Sequence, residues 1–555
     1  MAARQTISTD AGISRRDALR LVTGASAGAV LAACGAPTPS TPGLSATVAP
    51  QVGSTVSTAS PAAGGTAKTM PQVANASGSP IVPPPVTQLP TDKVTFHWVD
   101  SGDAKTLFFK PYFAAYQEAH QNITITYDPL PFDKIQALLP LGFQNDNAPD
   151  VFQLPGQISL GQAIQNSWVR PVDDLIPDFA NWKAAFPPGS FLTGLNVFGG
   201  KTYGPPLTNP GGDTSLCYNT EYAMKAAFDP KAKPVTWDAF RAAAKKMTEQ
   251  GAGKYYGLII EGQPGNRFAS IVSSFARRAA PLGGGGAGTT ADINWKTGEF
   301  NYTTDQYLAV IDLLLSMKSD GSIFPGSVSL NAAQARAQFA QGVAGMIISG
   351  TYNIPQWKQE NPTFSFDIVG QPVPNGGTVF PLTAFPSATG QNIFSVNAKT
   401  KYTAVAGDIL HYLGTKQGNT VFTTLSGGGQ RSIYPDVNAQ APIDPRSRAI
   451  FKTLDDLQRL APSPAVRNPD WAKVELELHP VTPDFGTTMQ GVFTGQVGEP
   501  KKAMQDLKDR SDKELDRAIK AAQAKGAKVS RSDLIFANWD PMKDYTDADY
   551  AAFPK

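Results

Sequence analysis

Cysteine and histidine are almost missing from this chain. Its 555 residues hold two cysteines, Cys34 and Cys217, and four histidines, His97, His120, His411 and His479, scattered and in no HExxH or Cys/His grouping. A zinc site is thereby excluded, because tetrahedral zinc needs three or four such ligands at close spacing. Charge is sparse as well, at 17% Asp, Glu, Lys and Arg with a formal net charge of +2. Without a dense Lys/Arg patch, nucleic acid is excluded as a partner. Catalytic signatures are also missing: beyond residue 90 there is no G-x-S-x-G elbow and no Ser-His-Asp context. Glycoside hydrolysis needs two carboxylates about 5–5.5 Å or about 6.5–9.5 Å apart. Asp100, Asp150 and Asp213 are candidates by chemistry, yet nothing in the sequence pairs them. The run Gly283–Gly286 is followed by no Lys-Ser/Thr, so it reads as a flexible surface insertion rather than a phosphate loop. The chain is therefore read as a non-enzyme without a cofactor or metal. Its surplus of Gly, Asn, Gln, Ser, Thr and aromatics suits a neutral polar ligand.

What is present begins at the N-terminus. Ser14-Arg15-Arg16-Asp17-Ala18-Leu19 sets paired arginines ahead of an almost uncharged run, Leu21 to Ala33, that ends at Cys34. A positive segment, a short apolar segment and small residues before a cleavage point are the pattern of an export signal. The paired arginines resemble a twin-arginine signal, and Leu31-Ala32-Ala33-Cys34 resembles a bacterial lipobox. That resemblance implies removal of residues 1–33 and acylation of Cys34. The apolar run is too short for a bilayer, which needs about 20 apolar residues in a helix, so the acyl chains would hold the protein to the extracytoplasmic face of the membrane.

Residues 34–90 follow as Ala, Ser, Thr, Pro and Gly with very few charges. Such a segment cannot bury enough apolar area to offset about 1–2 kcal/mol of backbone entropy per residue, and it reads as a disordered tether. Its roughly 50 residues would span about 35–45 Å as a flexible coil. With Cys34 acylated, Cys217 has no disulfide partner. In the strand-like run Thr214-Ser215-Leu216-Cys217-Tyr218 it reads as a small buried hydrophobe.

The remaining length is enough for two or three domains. Val94–Val99 reads as a strand, Ala104 to His120 as a helix carrying Phe108, Phe109, Phe113 and Tyr116, and Ile123–Tyr127 as a strand. A helix from Phe132 and a strand over Asp150–Leu154 follow. Strand and helix alternating with short connections predict an α/β fold with parallel strands, whose ligands sit at the strand carboxyl ends. Further on, Leu216–Asn219, Tyr255–Ile260 and Gly345–Ser349 read as strands, and Trp237–Met247 as a helix capped by Thr236.

Several segments then align, in order, with one family. They are Gly204-Pro205-Pro206, Cys217-Tyr218-Asn219-Thr220-Glu221, Pro234-Val235-Thr236-Trp237-Asp238-Ala239-Phe240, Phe339-Ala340-Gln341-Gly342-Val343-Ala344-Gly345-Met346, Gly350-Thr351-Tyr352 and Gly390-Gln391-Asn392-Ile393-Phe394-Ser395-Val396. Together they resemble extracellular solute-binding proteins of family 1, the group containing maltose-binding protein. The resemblance implies a periplasmic-binding-protein-like type II fold, with two α/β lobes, a hinge and a ligand cleft. Carried onto this chain, lobe one takes 91–205 and 396–470, and lobe two takes 206–395 with helices and an extension over 471–555. It also implies a monomeric ABC-importer component that hands a small polyhydroxylated solute, a mono- or oligosaccharide, to membrane permease subunits. Two alternatives stay open: an anionic or other non-sugar solute, and, more remotely, a glycan-active enzyme.

Sugars offer apolar faces that stack on aromatic rings and hydroxyls that need paired donors and acceptors. Trp98 and Asp100 leave one strand end together, Gln153 ends another, and Asn219 ends a third. Each has a structural alternative: core packing for Trp98, a turn or helix cap for Asp100, backbone clips for Gln153 and Asn219. Relatives commonly place an aromatic just beyond the glycine of Gly350-Thr351-Tyr352, and Tyr352 takes that place, or else packs a helix start. Gln391 and Asn392, with Phe385 just before, lie where the chain returns to lobe one. Ser426-Gly427-Gly428-Gly429-Gln430-Arg431-Ser432 departs from the family pattern, in which a proline follows within a few residues. Its glycines either let the backbone approach ligand or place Arg431. In the cleft Arg431 would bind an acid group; outside it, Arg431 pairs on the surface.

Overall fold

The computed structural model describes residues 82–155, 158–209, 214–263, 265–284, 290–384 and 393–553. Cys34, Asp213, Phe385, Gln391 and Asn392 lie outside the described residues. In chain order the strands are β1 (Val94–Asp100), β2 (Ile123–Pro129), β3 (Val151–Gln153), β4 (Val169–Arg170), β5 (Val197–Phe198), β6 (Lys201–Thr202) and β7 (Ser215–Asn219). They continue as β8 (Tyr256–Ile259), β9 (Ala344–Ser349), β10 (Phe366–Val369), β11 (Leu382–Ala384), β12 (Phe394–Asn397) and β13 (Gln458–Leu460).

The first lobe is built on a sheet of order β2-β1-β3-β12-β4. β1 runs parallel to β2 and β3, as the alternating pattern predicts, whereas β12 is antiparallel to β3 and β4. β12 breaks the parallel rule because it returns from the other lobe instead of following a local crossover. The helix Thr106–Ala119 buries Phe108, Phe109, Tyr112, Phe113 and Tyr116 on one face. These rings form one core with Trp98, Phe394 and the helices Thr403–Gly414 and Lys416–Leu425.

The end of the expected tether belongs to this lobe as well. Val82 and Leu89 pack on its core, and the Val86 amide donates to Asp408 at 2.7 Å. Residues 82–90 are thus docked, because Val82 and Leu89 find a core surface and the Val86 amide and Thr87 hydroxyl find acceptors.

The second lobe has a mixed sheet of order β10-β7-β9-β8. β8 and β9 are parallel, while β7 is antiparallel to both β9 and β10. Cys217 is fully buried there, as its sequence context predicts. Thr236 caps the Trp237–Gly251 helix through the Ala239 amide, again as predicted. The helices Phe485–Thr494 and Pro500–Ala524 complete the core with Met489, Phe493, Met504 and Leu515. Gly283 and Gly284, expected on a flexible surface, are buried: a Cβ on Gly283 would stand 2.8 Å from the Trp295 ring.

Between the lobes, β11 and β13 form a small parallel pair on segments that cross from one lobe to the other. The Pro445–Leu457 helix, assigned from the sequence to lobe one, straddles the boundary. Ile450 and Leu454 pack with the second-lobe residues Cys217, Ile347 and Phe366, whereas Phe451 joins the first-lobe core. Among the described residues no helix is long and apolar enough to cross a membrane.

Candidate functional site

The strand carboxyl ends of the two lobes meet around the turn that follows β1. Asp100 closes β1 and turns inward: it accepts from the Gly102 amide at 2.6 Å, the Tyr127 hydroxyl at 3.1 Å and the Trp98 indole at 3.2 Å. Burial raises its carboxyl above the usual range, and Lys105 offsets part of that rise. Lys105, itself buried, donates to Ser101 Oγ at 2.7 Å. Gln153 ends β3 and accepts the Ser101 amide at 3.1 Å. This edge is thus a tight turn with its polar groups bonded to one another.

Across from it, Glu261 lies two residues past β8. It accepts from Arg336 Nε at 2.8 Å, from Arg267 Nη2 at 2.9 Å and from Ser349 Oγ at 3.0 Å. Burial pushes this carboxyl up, but the two guanidinium groups overcome burial and hold it at about 2. Arg336 is buried too, and Glu261 keeps it charged. Tyr352 completes the group: its hydroxyl accepts from Arg267 at 3.1 Å, and its ring lies 4.6 Å from the Arg336 guanidinium. Arg336 also reaches Asp103 of the first lobe, at 3.2 Å. One arginine therefore ties Glu261 to the opposite lobe.

The Asn266–Ala279 helix lies across this edge. Arg267 near its start meets Glu261 beyond β8, while Ser274 bonds Gln371, two residues past β10, at 2.7 Å and Thr214, just before β7, at 2.9 Å. The helix therefore spans the sheet from β8 to β10 along the side that faces the first lobe.

The sequence candidates fare differently. Asp100, Gln153 and Tyr352 stand at the meeting edges. Trp98 does not offer a stacking face: it is fully buried, its ring 5.1 Å from Phe109, 5.4 Å from Phe113 and 4.8 Å from Phe394. In β1 it points into the sheet's helical layer, so its structural alternative holds. Asn219 is at the wrong end of its lobe. β7 runs opposite to β8 and β9, which places its carboxyl end away from Glu261 and Ser349, and Asn219 caps the next helix through the Glu221 and Tyr222 amides. Arg431 is buried and held by Asp455 and by Gln458 at 2.6 Å, so it is neither a surface pair nor an open clamp.

The glycines before Arg431 serve packing. Gly428 has φ 74, and a Cβ on Gly429 would stand 2.4 Å from Ala104 Cβ. Asp150 accepts from the His97 amide at 2.8 Å and from Thr400 at 2.5 Å, three residues down the sheet from Asp100.

Glu261, Arg267, Arg336, Asp103 and Lys105 were not singled out in the sequence. Glu261 follows a strand, so the strand-end rule that selected Asp100 and Gln153 applies equally to it. Arg336 carries no comparable signal, since it comes from a helix, Ala332–Ala340, whose contact with Glu261 is tertiary.

A binding protein of Brucella abortus (strain 2308) is 26% identical over 410 residues, covering 72% of this chain and 89% of its own. In structure the chain is similar to an ABC transporter solute-binding protein from Thermotoga lettingae bound with α-D-tagatose, at TM-score 0.58 and 18% identity, covering 76% of this chain and 100% of that one. It is similar also to the GacH receptor of Streptomyces glaucescens, whose structures include an acarbose complex, at TM-score 0.57 and 16% identity, over 76% and 99%. These likenesses show the type II periplasmic-binding-protein fold, two α/β lobes about a cleft. The family model described as bacterial extracellular solute-binding protein matches residues 111–444. That match covers more than half of the chain, which therefore belongs to the bacterial extracellular solute-binding proteins.

Proposed function

We propose that this protein is the lipid-anchored solute-binding component of an ABC importer, capturing a small polyhydroxylated solute, a mono- or oligosaccharide, between its lobes. The carrying observation is the pair of facing strand-end edges, bridged by Arg336 between Glu261 and Asp103. Crevices between lobes and at strand carboxyl ends are where small ligands bind. Tyr352 would offer the aromatic face that Trp98 does not, and Asp100, Gln153, Gln391 and Asn392 remain the polar candidates around it. The tagatose and acarbose named for two proteins of the same fold favour a carbohydrate. Closure would be a population shift driven by contacts that ligand makes with both lobes at once. The loaded protein would then dock, as a monomer, on permease subunits.

Calorimetry against sugars, polyols, amino acids and phosphate esters tests the substrate class. Saturable heat with at least one sugar or polyol is expected, and binding confined to amino acids would remove the carbohydrate reading. Turnover of any compound would favour a glycan-active enzyme instead. For the anchor, mass spectrometry of protein from its native membrane should find a chain beginning at acylated Cys34; an unmodified Cys34 would refute it.

A further inference from the structure

Three arginines, Arg336 and Arg278 buried and Arg267 partly buried, belong to the second lobe's strand-end edge and its crossing helix, and they are not equally compensated. Arg267 and Arg336 share Glu261. Arg278, at the far end of the crossing helix, is 4% exposed, and among the described residues its Nε and Nη1 have no hydrogen-bond partner. Burial pulls its guanidinium down to about 10, and among the described residues no carboxylate offsets the pull.

Its position follows from helix geometry. Residues 267, 274 and 278 fall within about 40° of one another around a helix of 3.6 residues per turn. Arg267 and Ser274 both point from that face to the strand ends. Arg278 continues the row one turn further, beyond β10, where its carbonyl accepts the Phe380 amide on the segment leading to β11. It thus sits at the hinge side of the same edge. Lys105 donates to Ser101, and Arg431, whose Nε also lacks a hydrogen-bond partner among the described residues, is held through its other nitrogens by Asp455 and Gln458.

A buried charge without a partner is strongly unfavourable, and the usual remedy is a counter-charge with matching hydrogen bonds. A guanidinium presents a planar fork that fits a carboxylate or phosphate edge-on. We infer that Arg278 is the acid-recognising residue of the cleft and that the solute carries one anionic group on its polyhydroxylated frame, an inference that rests on the solute-binding reading above. Arg278 supplies the charge, while Tyr352 and the polar groups across the cleft meet the hydroxylated part. The anionic alternative first attached to Arg431 moves to a residue whose Nε and Nη1 have no partner among the described residues.

The test titrates full-length protein in detergent with D-glucuronate and D-galacturonate, their neutral counterparts glucose and galactose, and glucose 6-phosphate. Wild type, Arg278→Met and Arg278→Lys are compared by calorimetry and thermal unfolding. An acidic sugar should bind wild type more tightly than its neutral counterpart. Arg278→Met should lose about 30-fold or more for that acid, the scale of removing a buried charge partner, while neutral sugars change less than about 2-fold. Arg278→Lys should fall between, since it keeps the charge and loses the fork. Without ligand, Arg278→Met should unfold at a higher temperature than wild type, because an uncompensated buried charge is gone. Preference for glucose 6-phosphate with the same loss in Arg278→Met would support the subsite and identify phosphate as the acid. Neutral sugars binding as well as acids, with Arg278→Met unchanged, would overturn the inference and leave the solute-binding reading standing. Acid binding that survives Arg278→Met would overturn it too. Binding of no compound would overturn both.

Discussion

The two strand-end edges that face each other solve the same problem by different means. On the first lobe, hydrogen bonds within one turn and aromatic packing close the edge: Trp98 is sealed in an aromatic core, and Asp100 accepts from a glycine amide, a phenol and an indole. On the second lobe, charges close the edge, with Glu261 between Arg267 and Arg336 and with Arg278 left over. An ionic edge can respond to a ligand, because any new charge or hydrogen bond changes a balance that already holds several large terms. If the proposed solute binds between these edges, the second lobe would carry most of the electrostatic response to it.

The largest expected effect tests the aromatic packing of the first lobe. Trp98→Ala should cost about 3–5 kcal/mol in urea unfolding, the range for truncating a buried Trp or Phe, with ligand affinity in the folded fraction unchanged. Loss of binding with little loss of stability would show that the ring serves ligand, and the comparison would break. Next comes the ionic edge. Glu261→Gln leaves two arginines buried without their shared carboxylate, which should cost about 3 kcal/mol at pH 7.

The pH signature of that edge can be derived in advance. Glu261 is held at about 2 from an ordinary 4.5, so its stabilisation is complete above 4.5 and is lost as pH falls toward 2. Wild type should therefore lose more stability than the Gln variant on acidification through that window. An unchanged difference would mean that the cluster does not act as an ionic unit.

A third prediction concerns a contact between lobes. Glu475, on the Trp471–Glu477 helix that packs against Leu160–Gln165 of the first lobe, is raised to about 7 by burial, the Trp471 indole only partly offsetting it. A raised carboxyl destabilises the folded state once it ionises, so stability should decline as pH rises from 4.5 to 7. Glu475→Gln should abolish this decline and gain about 2 kcal/mol at pH 8, measured by unfolding midpoints across pH. The smallest effect belongs to Asn219→Ala, which should cost about 1 kcal/mol as a lost helix cap and leave ligand affinity untouched. A large affinity change there would return Asn219 to the cleft and require a different strand order.

Much of the scaffold was legible in the chain. The apolar spacing Phe108, Phe109, Phe113 and Tyr116 fixes a helix and its buried face, and Thr236 fixes a helix start. The site was legible only in part. The strand-end rule selected Asp100 and Gln153, and the family pattern selected Tyr352, all of which stand at the meeting edges, but the rule also selected Asn219, which does not. The rule assumes parallel strands, and β7 is antiparallel because it enters the second lobe from the first. Trp98 misled for another reason: alternation along β1 tells which residues share a face, not which face is covered by a helix.

Sequence by itself determined the features that depend on neighbours along the chain. These are the resemblance of the N-terminal segment to an export signal and lipobox ending at Cys34, the order of strands and helices, the capped helix starts and the family resemblance. Tertiary structure alone decided strand direction in the mixed sheets, the docking of residues 82–90, the pairing of Arg431 with Asp455, and the placing of Glu261, Arg336 and Asp103 within reach of one another. Asp103, Glu261 and Arg336 are far apart in the chain, and their contact depends on how two separately packed lobes meet. Local propensity carries no information about that meeting, because the energies that set it, ion pairing and burial, arise only between segments that folding has already brought together.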